Sequence, residues 1–166
     1  MAKVIKEESS LMELNFSLLE NEIFNLLGDK KIMILATSYE NRVTARSMSC
    51  VIINKRIYFQ TDKTFLKYKQ ILQNHNVAMC VDNIVIEGIA KIKSHPFDEE
   101  NKEFINIFKE KYRGSYENYS HMNNEIVIEI KPSYITLWKY QNTQSFRDFL
   151  DIIKNKADRE IYNTSI

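Results

Sequence analysis

Between residues 31 and 92 five short apolar runs rich in β-branched residues follow one another: "KIMILATS" (31–38), "RVTARSMSCVII" (42–53), "RIYFQT" (56–61), "NVAMCV" (76–81) and "NIVIEGIAKI" (83–92). Most are parted only by turn formers such as "YEN", "NK" and "DN", and connectors this short join antiparallel neighbours. Two further runs, "NEIVIEI" (124–130) and "SYITLWKY" (133–140), have strand character, with Pro132 expected to break them apart. Helices are expected around this sheet. "SLLENEIFNLLG" places Leu19, Ile23, Leu26 and Leu27 on one face, with a Ser17 to Glu20 capping box and Gly28 as the C-terminal cap. A short helix is predicted near Phe65 to Gln73, and a longer one from about Phe97 to Tyr112 with Phe104, Phe108 and Tyr112 at helical spacing. The tail "SFRDFLDIIKNKADREIY" fits either a helix or a hairpin turning at "KNK". Six or more short strands with helices between some of them predict a mainly β (α+β) fold, a small barrel with peripheral helices. No repeat or linker divides the 166 residues, so a single domain over 1–166 is expected, with 1–14 a flexible or extended segment.

The charge balance limits partners. A formal net charge of +1 resembles an ordinary soluble protein more than a basic nucleic-acid binder, so no nucleic-acid partner is expected and any anion site must be local. The N-terminus lacks a signal-peptide core, and no window approaches the ~20 apolar residues of a membrane span. A cytoplasmic location with no membrane partner is the expectation. Cys50 and Cys80 have no CxxC spacing and read as reduced, strand-borne residues, and His75, His95 and His121 show no ligand spacing, so no metal is expected. "DEENKE" (98–103) reads as a solvated helix face and "KEKYRGSYENYS" (109–120) as an exposed loop.

The stretch "TDKTFLKYKQI" (61–71) follows the strand "RIYFQ", so two threonines and three lysines gather at a strand end. With Thr64 as N-cap, the first helical turn would present free N–H groups to an anion, joined by the Thr61 hydroxyl and the Lys67 ammonium. The same stretch would serve as an ordinary helix start with solvated lysines. Three glycines, Gly28, Gly88 and Gly114, allow neither GxGxxG nor a P-loop, so side chains and one helix end would have to hold a phosphate. Arg46, inside "VTARSMSCV", either meets an anion with its planar fork or faces solvent from an edge strand.

In this order, the N-terminal helix, the pair "MILATS" and "VTARSMSCV", the strand ending "YFQT", Lys67 and "QNHNVAMCV" leading to "VIEGIAKI" resemble the pyridoxamine 5′-phosphate oxidase-like family of FMN-binding split barrels. The likeness is good over roughly 17–95 and looser beyond, through "LWKY" and "SFRDFL". It implies a Greek-key antiparallel split β-barrel with flanking helices, FMN as cofactor, and a homodimer with the flavin at the subunit interface. By the same resemblance Arg46, Ser47, Met48 and Ser49 line the flavin, and Gln60 and Thr61 form the strand-end pair that contacts it. Lys67 matches the phosphate lysine, beside Thr64. Asn83 stands where a ring-bonding glutamine is common, and Trp138 and Arg147 fall where a second subunit completes the site. The family pattern also favours the hairpin reading of the tail.

Departures from the pattern bear on the reaction. Leu66 stands where the oxidase has an arginine, Val51 where it has a substrate lysine, and "NTQSF" (142–146) where it has its arginine and histidine. Cationic partners for a phosphorylated substrate are thereby lost, while those for FMN remain. The resemblance thus implies an FMN-dependent oxidoreductase acting on another small molecule, with NAD(P)H a candidate donor. The other reading is a non-catalytic protein that stores or senses flavin or another planar ligand.

Overall fold

The computed structural model describes residues 11–162 of the chain. The elements run β1 (Met12–Leu14), α1 (Phe16–Leu27), β2 (Lys30–Tyr39), β3 (Arg42–Ile53), β4 (Arg56–Asp62), α2 (Leu66–Gln73), β5 (Asn76–Val81) and β6 (Ile84–Ile92). After a 3-10 turn (Glu99–Asn101) follow α3 (Lys102–Lys111), α4 (Arg113–Tyr119), β7 (Glu125–Gln141), β8 (Gln144–Asp151) and β9 (Lys156–Tyr162). Residues 1–10 of the expected N-terminal segment lie outside the described residues, and Met12–Leu14 is extended against β9.

All pairings are antiparallel, and the order β7-β4-β3-β2-β5-β6 closes through β6 onto β7 as a six-stranded barrel. The turns behave as their residues predict. Glu40 and Asn41, then Asn54 and Lys55, take the positive φ that two-residue hairpins require. Strand β7 is the hinge of the design. Its first half pairs with β4 and its second with β8, while β6 lies along both, so the sheet splits there and carries β8, β9 and β1 away from the barrel. Pro132 therefore does not separate two strands, contrary to the sequence expectation. It sits in one 17-residue strand, opposite Gly88, where the β6–β7 register shifts. A bulge accommodates the missing N–H. The tail is a hairpin of β8 and β9.

The barrel core joins Met33, Leu35, Cys50, Ile57, Phe59, Met79, Ile86, Ile128, Ile130 and Ile135 to Leu19, Ile23 and Leu27 of α1. Leu26, expected on that face, is exposed, because the buried side repeats every four residues from Leu19. Asn15, not Ser17, caps this helix: its Oδ1 accepts from the Leu18 N–H at 3.0 Å. Gly28 closes it at φ 68° as expected. A second apolar layer, Val51, Ile53 and Val127 under Phe104, Ile105 and Phe108, seats α3 on the outer face of β3, β4 and β7. Residues 113–119, read as loop, form α4. Cys50 is buried while Cys80 lies exposed on the outer side of β5, and both are free thiols. No helix of the described residues is long and apolar enough to cross a membrane.

Candidate functional site

Where β4 ends, the chain turns into α2, and α3 with α4 leans over the same corner. Between them lies a cleft of about 410 Å³, within the size range of small-molecule sites. Ser47, Met48 and Ser49 of β3 line one wall, Gln60, Thr61 and Asp62 of β4 the floor, Phe65 and Lys67 another wall, and Phe108, Ser115, Tyr119 and Met122 the helical side, with Glu125 at the start of β7. Gln60 is fixed from behind, because its Oε1 accepts from Ser120 Oγ at 2.7 Å. Thr61 is only 3% exposed, yet its hydroxyl has no hydrogen-bond partner among the described residues. Such an orphaned group costs about 1–3 kcal/mol unless a ligand satisfies it.

Two cations and two carboxyls meet in this corner. Arg46 lies just behind the lining, on the inner face of β3 opposite Leu35. Its Nη1 donates to Thr37 Oγ at 2.7 Å and to Leu35 O at 3.2 Å, and its Nη2 donates to Thr44 Oγ. Burial lowers its pKa. The Lys67 ammonium sits 4.6 Å from the centroid of the Phe65 ring. Its pKa is lowered first by burial and then by the nearby Arg46 charge. Set against them is a pair of carboxyls, for Asp62 and Glu125 face each other across β4 and β7. Burial first, then Asp62, pushes the Glu125 carboxyl up to about 7. Asp62 is held low by the Thr64 hydroxyl and N–H, each 2.6 Å from Oδ1.

The structure thus gathers Ser47, Met48, Ser49, Gln60, Thr61 and Lys67 around one cleft, with Arg46 behind it. Thr64 does not cap α2 as expected. It is exposed, its donors turn to Asp62, and the N-cap position is held by Phe65 without a side-chain bond. Asp62, Phe65, Tyr119, Met122 and Glu125 were not foreseen. Glu125 was hidden at the polar edge of "NEIVIEI", and only the β4–β7 register brings it to Lys67.

Asn83, Trp138 and Arg147 form a separate cluster. Trp138 N donates to Asn83 O at 3.0 Å. The Arg147 guanidinium lies 5.3 Å from the Trp138 ring and ion-pairs with Glu160 through Nη2, while its Nε is buried without a partner among the described residues. Tyr140 stacks on Trp138, and Tyr162 meets it edge-on. Both clusters border the same outer face of the sheet, since Ser47, Ile34, Cys80, Val85 and Thr136 are opposed strand by strand. Four strand spacings separate Ser47 from Thr136, roughly 19 Å along the sheet. Ile34 and Val85 in that row, and Ile32 and Ile89 beyond it, are all more than a third accessible, with the exposed Glu87 among them.

A family model described as pyridoxamine 5′-phosphate oxidase matches residues 19–139. No curated protein sequence matches the chain. Among solved structures the chain is similar to Campylobacter jejuni ChuZ, at 16% identity and TM-score 0.66, over 87% of this chain and 63% of that one. It is similar to PhzG from Burkholderia lata, solved in complex with tetrahydrophenazine-1-carboxylic acid, at 14% identity and TM-score 0.59, over 89% and 91% of the two chains. HutZ of Vibrio cholerae, described as a heme storage protein, is similar at 15% identity and TM-score 0.58, over 69% and 89%. At these identities the likeness is one of fold.

Proposed function

As the chain belongs to the pyridoxamine 5′-phosphate oxidase family, we propose that it is an FMN-binding flavoprotein, an oxidoreductase acting on a small molecule. The observation that carries this reading is the convergence of Arg46 and Lys67 on a cleft whose floor holds the orphaned Thr61 hydroxyl. Two cations and an unused hydroxyl form a phosphate-sized donor set, and charge-assisted bonds from it would fix one end of the cofactor. Ser47 to Ser49 and Gln60 would orient the remainder along β3 and β4. Phe65, Phe108, Tyr119 and Met122 would exclude water from that wall. Bound there, FMN supplies hydride and electron transfer, for which the protein provides orientation and electrostatics.

The second half of the site is proposed to come from another copy of the chain. The exposed apolar face is continuous with both clusters, and a two-fold interface built on it would be self-complementary. The partner's Trp138 cluster would then meet the cleft across that interface.

Efficient oxidation of pyridoxamine 5′-phosphate is not part of the proposal. Val51, which stands where the resemblance puts the family's substrate lysine, is fully buried beneath Phe104 and Phe108. Burying a second phosphate without partners costs several kcal/mol. PhzG, whose ligand is a carboxylic acid, supports the view that this barrel accommodates other substrates.

A storage role has one supporting observation, the description of HutZ as a heme storage protein. The purified protein decides between them: a yellow flavin spectrum bleached by NADH or NADPH is expected. A colourless protein that FMN does not saturate on titration would overturn the proposal. A bound flavin that neither nucleotide nor any small-molecule donor reduces would favour storage. Turnover of pyridoxamine 5′-phosphate with oxygen uptake, at a rate near that of typical enzymes, about 10 per second, would refute the substrate reading alone.

A further inference from the structure

Among the buried polar groups outside the site as described, Gln70 stands next to Arg46 through two hydroxyls. Gln70 lies on the inward face of α2 and is 2% exposed. Its Nε2 donates to Arg42 O at 2.9 Å, which sets the amide orientation and turns Oε1 toward the barrel. That oxygen accepts from Thr37 Oγ and Thr44 Oγ, each at 2.7 Å. A hydroxyl has one proton to give, so with both spent on Gln70 the two oxygens offer only lone pairs to their other neighbour. The neighbour is Arg46, whose Nη1 and Nη2 donate to Thr37 and Thr44. With Leu35 O as the third acceptor, three of the five guanidinium donors are used and two remain for a ligand.

We infer that Gln70 is a positioning residue of the anion site: through Thr37 and Thr44 it orients the acceptors that hold Arg46 toward the ligand phosphate. Without the amide oxygen either hydroxyl is free to turn its proton toward the guanidinium, and Arg46 loses the two acceptors that fix its plane. Glutamate in its place keeps the size and the acceptor, but it cannot donate to Arg42 O, and its charge competes with the ligand for Arg46. The inference rests on the reading of this corner as the FMN phosphate site.

FMN and riboflavin, which differ by the phosphate, separate positioning from general structural damage. Dissociation constants for both would be measured on the wild-type protein and on Gln70→Leu, Gln70→Glu, Thr44→Val, Arg46→Ala and the Gln70→Leu/Arg46→Ala pair. Gln70→Leu and Gln70→Glu are expected to weaken FMN about ten-fold with riboflavin unchanged, and Thr44→Val, the mildest change, to weaken it less. In the Arg46→Ala background Gln70→Leu should add little, because the two act as a unit. The inference is overturned if both flavins weaken together, if the losses at Gln70 and Arg46 add in full, or if the FMN preference survives every change at Gln70 and Thr44 while Arg46→Ala removes it. If Arg46→Ala itself leaves the FMN preference intact, the phosphate reading falls, and this inference with it.

Discussion

At the scale of single residues, the corner at the end of β4 sets cations against carboxyls, and each side gives a measurable consequence. Arg46→Ala and Lys67→Ala should each lose a charge-assisted bond to phosphate, about 1.5–3 kcal/mol, or roughly ten- to a hundred-fold in FMN affinity. Unchanged dissociation constants by fluorescence titration would remove both residues from the site. Glu125 predicts a pH dependence. Its folded-state pKa of about 7 lies above the ordinary glutamate value of 4.5, so its contribution to stability is full below about pH 4.5 and is lost as the pH rises through about 7. Glu125→Gln removes that titration. The variant should gain on the wild type between pH 5 and 8, by roughly 1–2 kcal/mol once water at the cleft mouth is allowed for. Above pH 7 the ionised carboxyl also faces any phosphate held by Lys67, so FMN affinity relative to Glu125→Gln should fall over the same interval. Parallel melting and binding curves for the two proteins across that range would show the prediction wrong. Much of this corner was legible in the residues themselves: Arg46 interrupts an apolar strand pattern, Thr61 ends one, and Lys67 follows in the first turn of the next helix. Gln70 and Glu125 were not legible, since their roles arise from partners 26 to 63 positions away, Thr44 and Asp62.

At the scale of elements, strand periodicity carried the reading well, because alternating burial along β6 and tight turns after β2 and β3 leave few alternative pairings. It failed where local rules meet tertiary demands. Pro132 reads as a break because it cannot donate to a ladder, yet the bulge at Glu87/Gly88 removes the need for that donor. Residues 113–119 read as loop, yet Tyr112, Tyr116 and Tyr119 stand at helical spacing and the N–H groups of Tyr116 and Ser120 are satisfied by carbonyls four residues back. Ser17 looked like a cap because Glu20 follows at capping-box spacing, but Asn15 is better placed by two residues. The bulge yields the prediction at this scale. A Cβ on Gly88 would lie 2.8 Å from both Ile130 Cγ2 and the Lys131 carbonyl oxygen, and the latter is backbone that cannot rotate away. Gly88→Ala should therefore destabilise the β6–β7 seam by about 1–3 kcal/mol. For a domain of this size that is a fall in Tm of about 2–12 °C, and an unchanged melt would mean that the seam relaxes.

At the scale of the whole molecule, the barrel closes its polar backbone but leaves one face unsatisfied in another sense, with Ile32, Ile34, Val85 and Ile89 turned to solvent between two incomplete half-sites. In the proposed dimer a second copy would cover that face and set each Trp138 cluster against the partner's cleft, so oligomeric state and flavin affinity should fail together. Ile34→Lys with Val85→Lys puts like charges on both sides of a two-fold interface. The expected result is a monomeric mass by light scattering and a weakened FMN titration, in a protein whose circular dichroism is unchanged. A complementation experiment goes further, because it tests whether one site draws on two chains. A protein carrying Arg46→Ala and Lys67→Ala keeps a sound Trp138 cluster, and one carrying Trp138→Ala and Arg147→Ala keeps a sound cleft. Each alone should bind FMN poorly. Co-expressed, half of the randomly paired dimers are mixed, and each mixed dimer regains one intact site of two, so about a quarter of the wild-type FMN stoichiometry should return. If both half-sites belonged to the same chain, every site in the mixture would still contain a defect, and no binding would be recovered.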